Sequence, residues 1–215
     1  MIRSVVFDVG ETLTCDSRFW QGWADWLGVP GSTLTALVGA VVARGHDNAE
    51  ALRLIRPGLN VGAEYALREA AGCGEELGDS DLYPDVRPTL HALRGAGVWV
   101  GIAGNQTARA AELLRALHLP VDAIATSGEW GVAKPRPEFF EQVAAFAPGH
   151  RDEIVYVGDH PFNDIVPARA AGLRTAHVRR GPWGYLWAAA PEAAEADWQV
   201  DSLDELPALL NCGGT

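Results

Sequence analysis

Val5, Val6 and Phe7 form a short run of β-branched and aromatic residues that stops abruptly at Asp8. Such a run predicts a strand buried on both faces. A different period follows: Phe19, Trp20, Trp23, Trp26 and Leu27 recur at helical spacing behind Asp16 or Ser17 as a cap. Gly28–Gly31 breaks that helix. Ser32 or Thr33 starts a second through Leu37, Val41 and Val42, and Asp47 caps a third with Ala51, Leu52 and Ile55 on one side. A fourth is expected over about 61–71, stopping at Gly72. Residues 16–82 therefore read as four short helices joined by Gly/Pro punctuation.

From Tyr83 the pattern alternates. Helices are predicted over 84–95, 108–117, 137–146, 164–171 and 203–210, and strands over 98–103, 121–125, 154–157, 175–178 and, as a last edge, 197–200. This repetition of strand and helix implies a doubly wound parallel sheet with right-handed crossovers. The expected organisation is an α/β core, residues 1–15 and 83–215, with a helical cap, 16–82, inserted after the first strand. Hinges are expected near 12–16 and 82–85.

Composition narrows the function classes. The 215 residues are 48% hydrophobic and carry a net charge of −11, which suits a globular chain and opposes a surface that tracks nucleic-acid phosphates. The N-terminal apolar run is too short for a signal peptide or a membrane span. Cys15, Cys73 and Cys212 have no paired spacing, as expected of reduced thiols in a cytoplasmic protein. An anionic substrate would need local help from a metal or a placed cation. Lys134 is the single lysine against sixteen arginines, and marks a place where a compact point charge is wanted rather than the planar Arg fork.

Several strand ends bring polar residues towards one crevice. Asp8 ends the first strand, where open α/β sheets bind ligands; alternatively it only caps the following turn. Gly104 and Asn105 follow the second, and Asp159 and Asp164 bracket the turn after Val155–Gly158. Asp8, Asp159 and Asp164 are three hard oxygen donors, suited to Mg²⁺. A carboxylate beside such a metal can act as a nucleophile and form an aspartyl-phosphate, with Lys134 neutralising charge on the transferring group.

With Phe-Asp-Val-Gly-Glu-Thr-Leu at 7–13, Ile-Ala-Gly-Asn at 102–105, Lys134-Pro135 before Glu138-Phe139-Phe140, and Gly-Asp-His-Pro-Phe-Asn-Asp at 158–164, the chain resembles the haloacid dehalogenase-like hydrolase superfamily. The likeness covers essentially the whole length. It implies a Rossmann-like core with a helical cap closing over the substrate, and Mg²⁺-dependent hydrolysis of a small phosphorylated metabolite. It further implies Asp8 as nucleophile and metal ligand, Lys134 as the cation between nucleophile and phosphate, Asp159 and Asp164 as metal-side carboxylates, and the Gly10 carbonyl as the remaining protein ligand.

Two positions depart from the family pattern. Gly10 stands where phosphatases of the family carry a second Asp as general acid and base, a role worth about 10²–10⁴-fold in rate. Gly104 stands where a hydroxyl residue binds the phosphoryl oxygens, leaving the backbone around Gly104–Asn105 to cradle phosphate. Glu11 is a candidate substitute for the missing acid. A member that binds without turnover is therefore the alternative, and a dehalogenase ranks third. The cap tryptophans are read first as core and His160 as structural. Trp130 either walls the pocket or covers it. Arg179–Tyr185 is read as a loop on the sheet edge, an anion site or a subunit contact. Substrate identity and oligomeric state stay open.

Overall fold

The computed structural model describes residues 1–211; the expectation of a thiol at Cys212 lies outside them. β1 (Ser4–Phe7) lies inside a six-stranded sheet with β2 (Trp99–Gly104), β3 (Ala123–Thr126), β4 (Ile154–Gly158), β5 (Arg174–Val178) and β6 (Trp198–Val200). The order is β3-β2-β1-β4-β5-β6 and every pairing is parallel. Every residue of β1 is buried, which is why its sequence is apolar without alternation. One face of the sheet carries a core built around Val5, Phe7, Leu90, Ile102, Val155 and Val157. On the other face Val6, Phe139, Phe140, Val143 and Tyr156 pack together.

The chain divides into two compact units, Met1–Cys15 with Leu77–Thr215, and Asp16–Glu76. The expected boundary at 82/83 therefore falls at 76/77. Residues 77–82 are bound to the first unit by their backbone: Cys15 N donates to Asp81 O at 2.8 Å, Tyr83 N donates to Leu13 O at 3.0 Å, and Thr14 bridges Leu82. Leu77 and Leu82 also pack against the core of that unit.

The second unit holds α1 (Ser17–Leu27), α2 (Gly31–Val42), α3 (Glu50–Ile55) and α4 (Val61–Ala70). Gly28, at φ 72°, closes α1 by donating its N–H to the Ala24 and Asp25 carbonyls, the left-handed cap that glycine adopts at least cost. α2 starts behind Pro30 rather than at Ser32 or Thr33. Trp23 is fully buried, edge-on to Tyr65 at 5.1 Å, and Trp20 is nearly so; both are core of this unit.

In the first unit the helices are α5 (Val86–Gly95), α6 (Ala108–Ala116), α7 (Ser127–Trp130), α8 (Pro137–Phe146), α9 (Val166–Ala170), α10 (Gly181–Leu186), α11 (Pro191–Ala194) and α12 (Leu206–Asn211). The helix expected over 164–171 is split. A π-helical turn, Pro161–Ile165, precedes α9, a local widening that frequently accompanies functional sites. Likewise 203–210 begins as a 3₁₀ turn, Leu203–Glu205, before α12. Residues 181–186, expected as loop, form α10. Among the described residues no single helix is long and apolar enough to cross a membrane.

Candidate active site

Asp8 leaves β1 while its N–H still donates to Val157 O at 2.8 Å. Its carboxylate therefore emerges at the carboxyl end of the sheet between β2 and β4, whose last residues are Gly104 and Gly158. Both glycines are there because a side chain approaches them. A Cβ on Gly104 would lie 2.6 Å from Asp8 Oδ1, and one on Gly158 would fall among the carboxyl atoms of Asp164, 2.6 Å from its Cβ. These contacts are tighter than real Cβ atoms make, so the short residues at both strand ends are what let the carboxylates sit this close to the sheet.

Asp8, Asp159 and Asp164 each bring a carboxylate oxygen within 4.8 Å of the others. All three are at least nine-tenths buried. Lys134 Nζ lies 2.6 Å from Asp8 Oδ1 and 2.6 Å from Asp164 Oδ1, bridging the two acids from inside. Asp164 Oδ2 takes the His160 N–H at 2.9 Å. Among the described residues Asp159 Oδ2 is buried with no hydrogen-bond partner, while the Asp159 carbonyl meets His177 Nε2 at 3.0 Å. The ring of Tyr156 lies beneath, its centroid 5.5 Å from Lys134 Nζ, and its hydroxyl donates to Ala103 O at 2.7 Å.

Burial dominates the titration of this group. It raises Asp8 to about 6, opposed by Lys134 and reinforced by Asp164. It also pushes Asp159 well above the usual carboxylate range, with Asp164 and Asp8 adding to the effect. Burial acts against the Lys134 charge too, but the Asp164 and Asp8 carboxylates more than offset it and hold the ammonium well above its ordinary value. Fully ionised, three carboxylates against one ammonium leave two negative charges, which suits a divalent cation. The all-oxygen donor set and the orphaned Asp159 Oδ2 fit Mg²⁺.

The phosphate cradle expected at Gly104–Asn105 is one of backbone N–H groups; the Asn105 side chain is engaged elsewhere. Its side-chain amide donates to Lys134 O at 3.0 Å and its carbonyl accepts the Lys134 N–H at 2.8 Å. Its carboxamide thus clamps the lysine's main chain. Gly10 sits in a tight loop where it bridges Thr14 and where Glu11 N donates to Thr14 O at 2.7 Å. Glu11 holds φ 55°, a left-handed conformation costly for a residue with a side chain. Its carboxylate accepts the Tyr83 hydroxyl at 2.6 Å. The candidate substitute acid is thereby tied to Tyr83.

Other flagged residues are structural. His160 Nδ1 accepts the Asn163 N–H at 3.3 Å, and its ring packs on Trp187 and Trp183 at 5.0 and 5.6 Å; burial and the nearby Lys134 charge lower it to about 4. Trp130 packs edge-on to Phe139 and Phe146 at 5.2 and 5.6 Å. Arg180 is buried, donates to Thr12 O at 2.8 Å, pairs with Asp85 and lies over Tyr83 at 4.1 Å. Asp85 also accepts Ser202 Oγ and Leu203 N. This hub fixes the loop behind Asp8 and was not foreseen. Tyr156 and His177 were missed as well; a hydroxyl inside the apolar run Val155-Tyr156-Val157 is the one signal that pointed there.

The parallel sheet, the strand-end acids and the buried lysine define a hydrolase class. The haloacid dehalogenase-like hydrolase family model matches residues 2–172, and the chain belongs to that family. It is 38% identical over 104 residues to glyceraldehyde 3-phosphate phosphatase of Methanopyrus kandleri, covering 47% of this chain and 45% of that one. It is 31% identical over 193 residues to phosphoserine phosphatase of Thermus thermophilus, covering 76% and 75%. The chain spans about half the length of the first of these relatives. A Bacillus subtilis HAD-hydrolase structure bound to magnesium shares the fold, with a TM-score of 0.72 at 18% identity over 98% of this chain and 99% of that one.

Proposed function

We propose that this chain hydrolyses small phosphate monoesters through an aspartyl-phosphate on Asp8. The observation that carries this reading is the bridge from Lys134 Nζ to Asp8 Oδ1 and Asp164 Oδ1, 2.6 Å each, inside a buried trio of acids. The relatives that carry phosphatase names support it. Asp8, Asp159, Asp164 and the Gly10 carbonyl would hold Mg²⁺, whose chemistry when bound is to neutralise charge on the phosphoryl oxygens.

The chain's own residues perform the rest. Asp8 forms a bond from a carboxylate oxygen to phosphorus as the ester P–O bond breaks and the leaving oxygen departs with its electron pair. Water then attacks phosphorus, the bond to Asp8 breaks, and inorganic phosphate leaves. Lys134 stabilises the Asp8 carboxylate before the transfer and the phosphoryl charge during it. Asn105 holds the Lys134 backbone so that the ammonium is aimed without reorganisation. With Gly10 in place of a general acid and Glu11 bound to Tyr83, the leaving oxygen takes its proton from solvent. Substrates with acidic leaving groups are therefore preferred.

A second reading, binding without turnover, draws on those same departures at Gly10 and Gly104. One assay separates the two: hydrolysis of an aryl phosphate by wild type and Asp8→Asn, with Mg²⁺ and with chelator. Metal-dependent turnover lost in the variant supports the phosphatase; no turnover across a panel of phosphorylated metabolites leaves the binding protein. Halide release from a haloacid without added metal would support a dehalogenase instead. A cytoplasmic setting, expected from the sparse cysteines without paired spacing, is part of this proposal.

A further inference from the structure

Arg68, on α4 of the unit Asp16–Glu76, is only 4% exposed. Among the described residues its guanidinium makes no hydrogen bond or ion pair: Nε and Nη1 are buried without partners, and its Cζ lies over the Trp23 ring, 4.3 Å from the centroid. A buried guanidinium is costly unless its donors are met, and a cation–π contact replaces only part of its hydration. The same side chain lines a cavity of about 410 Å³ whose walls include Phe19, Trp26 and Gly22. Gly22 keeps the guanidinium approachable, since a Cβ there would come 3.1 Å from Nη2. Other polar groups around the cavity are engaged: Arg18 pairs with Glu76 at 2.9 Å, Asp25 accepts from Gln21 at 2.7 Å, and Trp26 Nε1 donates to Glu64 at 2.7 Å.

We propose that this cavity is a binding site for a small monocarboxylate, received by the Arg68 guanidinium with its hydrocarbon part against Phe19 and Trp26. Nε and Nη1 are sealed from the cavity, so Nη2, beside the lining residue Gly22, is the donor that would receive a carboxylate oxygen in a charge-assisted hydrogen bond. The wall also carries three acids, Asp25, Glu75 and Glu76, against its two arginines, so each added negative charge on a ligand raises the repulsion and a phosphate dianion is disfavoured relative to a monocarboxylate. Every residue of the site lies within 16–76, so the inference does not depend on the phosphatase reading.

The test is NMR titration of the full-length protein at pH 8 with acetate, butyrate and benzoate, and with inorganic phosphate as the dianion comparator. The resonances followed are the Arg68 Nε–H and the Trp23 indole, assigned with Arg68→Met and Trp23→Phe. The site predicts saturable shifts at both with a monocarboxylate, tighter for the longer hydrocarbon than for acetate. Arg68→Met, which removes a buried charge and keeps the fold, weakens binding by at least about 30-fold; Gly22→Ala weakens it by crowding Nη2. The proposal is overturned if no carboxylate moves the Arg68 signal, if phosphate binds there more tightly, or if Arg68→Met titrates like wild type.

Discussion

In Gly158→Ala the added methyl would lie 2.6 Å from the Asp164 Cβ and closer still to its carboxyl group. Relief cannot come from a side-chain rotation, because the Asp164 Cβ is fixed to the π-helical turn Pro161–Ile165. The turn must shift, and with it the contacts of Asp164 to Lys134 Nζ at 2.6 Å and to His160 N–H at 2.9 Å. Overpacking a core costs about 1–3 kcal/mol, and taking one partner from a buried charge pair costs about 3–5 kcal/mol. Lys134 keeps Asp8 as a partner, so the lower end applies and the whole comes to about 4 kcal/mol. For a chain of this size that is a fall in melting temperature of roughly 10 °C. A displacement near 1 Å in the acid trio would also lower turnover by about 10²-fold. Thermal unfolding and aryl phosphate hydrolysis measure both effects. Gly95→Ala is the control: a Cβ there meets nothing within 4 Å, so its effect stays within about 1 kcal/mol. If Gly158→Ala melts within about 2 °C of wild type and turns over normally, the packing argument for this strand end is wrong.

Three further outcomes are expected. Without metal, Asp8 titrates near 6 when folded against 3.8 as its ordinary value. Its stabilising contribution is thus complete below 3.8 and is lost as pH rises through about 6, at most about 3 kcal/mol. Chelator-treated wild type, compared with Asp8→Asn, should lose stability between pH 4 and 8, and Mg²⁺ should restore it; a parallel pH profile for the two proteins would contradict this. Arg180→Met leaves the Asp85 carboxylate without its buried partner and frees the loop at Thr12. It should cost about 3 kcal/mol in chemical denaturation, and an unchanged midpoint would refute the hub. Gly10→Asp should raise turnover by about 10²-fold for substrates with poor leaving groups and much less for aryl phosphates; equal effects on both would show that proton supply does not limit the wild type.

The fold was legible where burial dictates composition. β1 and β4 are apolar because both their faces are covered, and α8 follows 137–146 because its apolar residues face one core. What escaped was decided by tertiary contacts or by very short elements. α7 has four residues behind its Thr126 cap, too few to show a period. The boundary at Leu77 depends on backbone bonds to a segment more than sixty residues earlier. In the site, Asp8, Lys134, Asp159 and Asp164 come together as their motifs implied, because strand ends and cap positions are local. The use of Asn105 was not legible: its clamp on Lys134 requires knowing that the 134 loop folds back beside β2. Nor was Arg180, whose partners Thr12 and Asp85 lie far away in the chain.

The central claim is that phosphorus becomes bonded to Asp8. The most direct measurement is acid quench of the Mg²⁺-loaded enzyme during turnover of an aryl phosphate, followed by proteolysis and mass spectrometry of the peptide that contains Asp8. The account predicts a hydroxylamine-labile phosphoryl group on that carboxylate, absent from Asp8→Asn. Turnover with no phosphorylated Asp8 at any quench time, or undiminished turnover in Asp8→Asn, would contradict it.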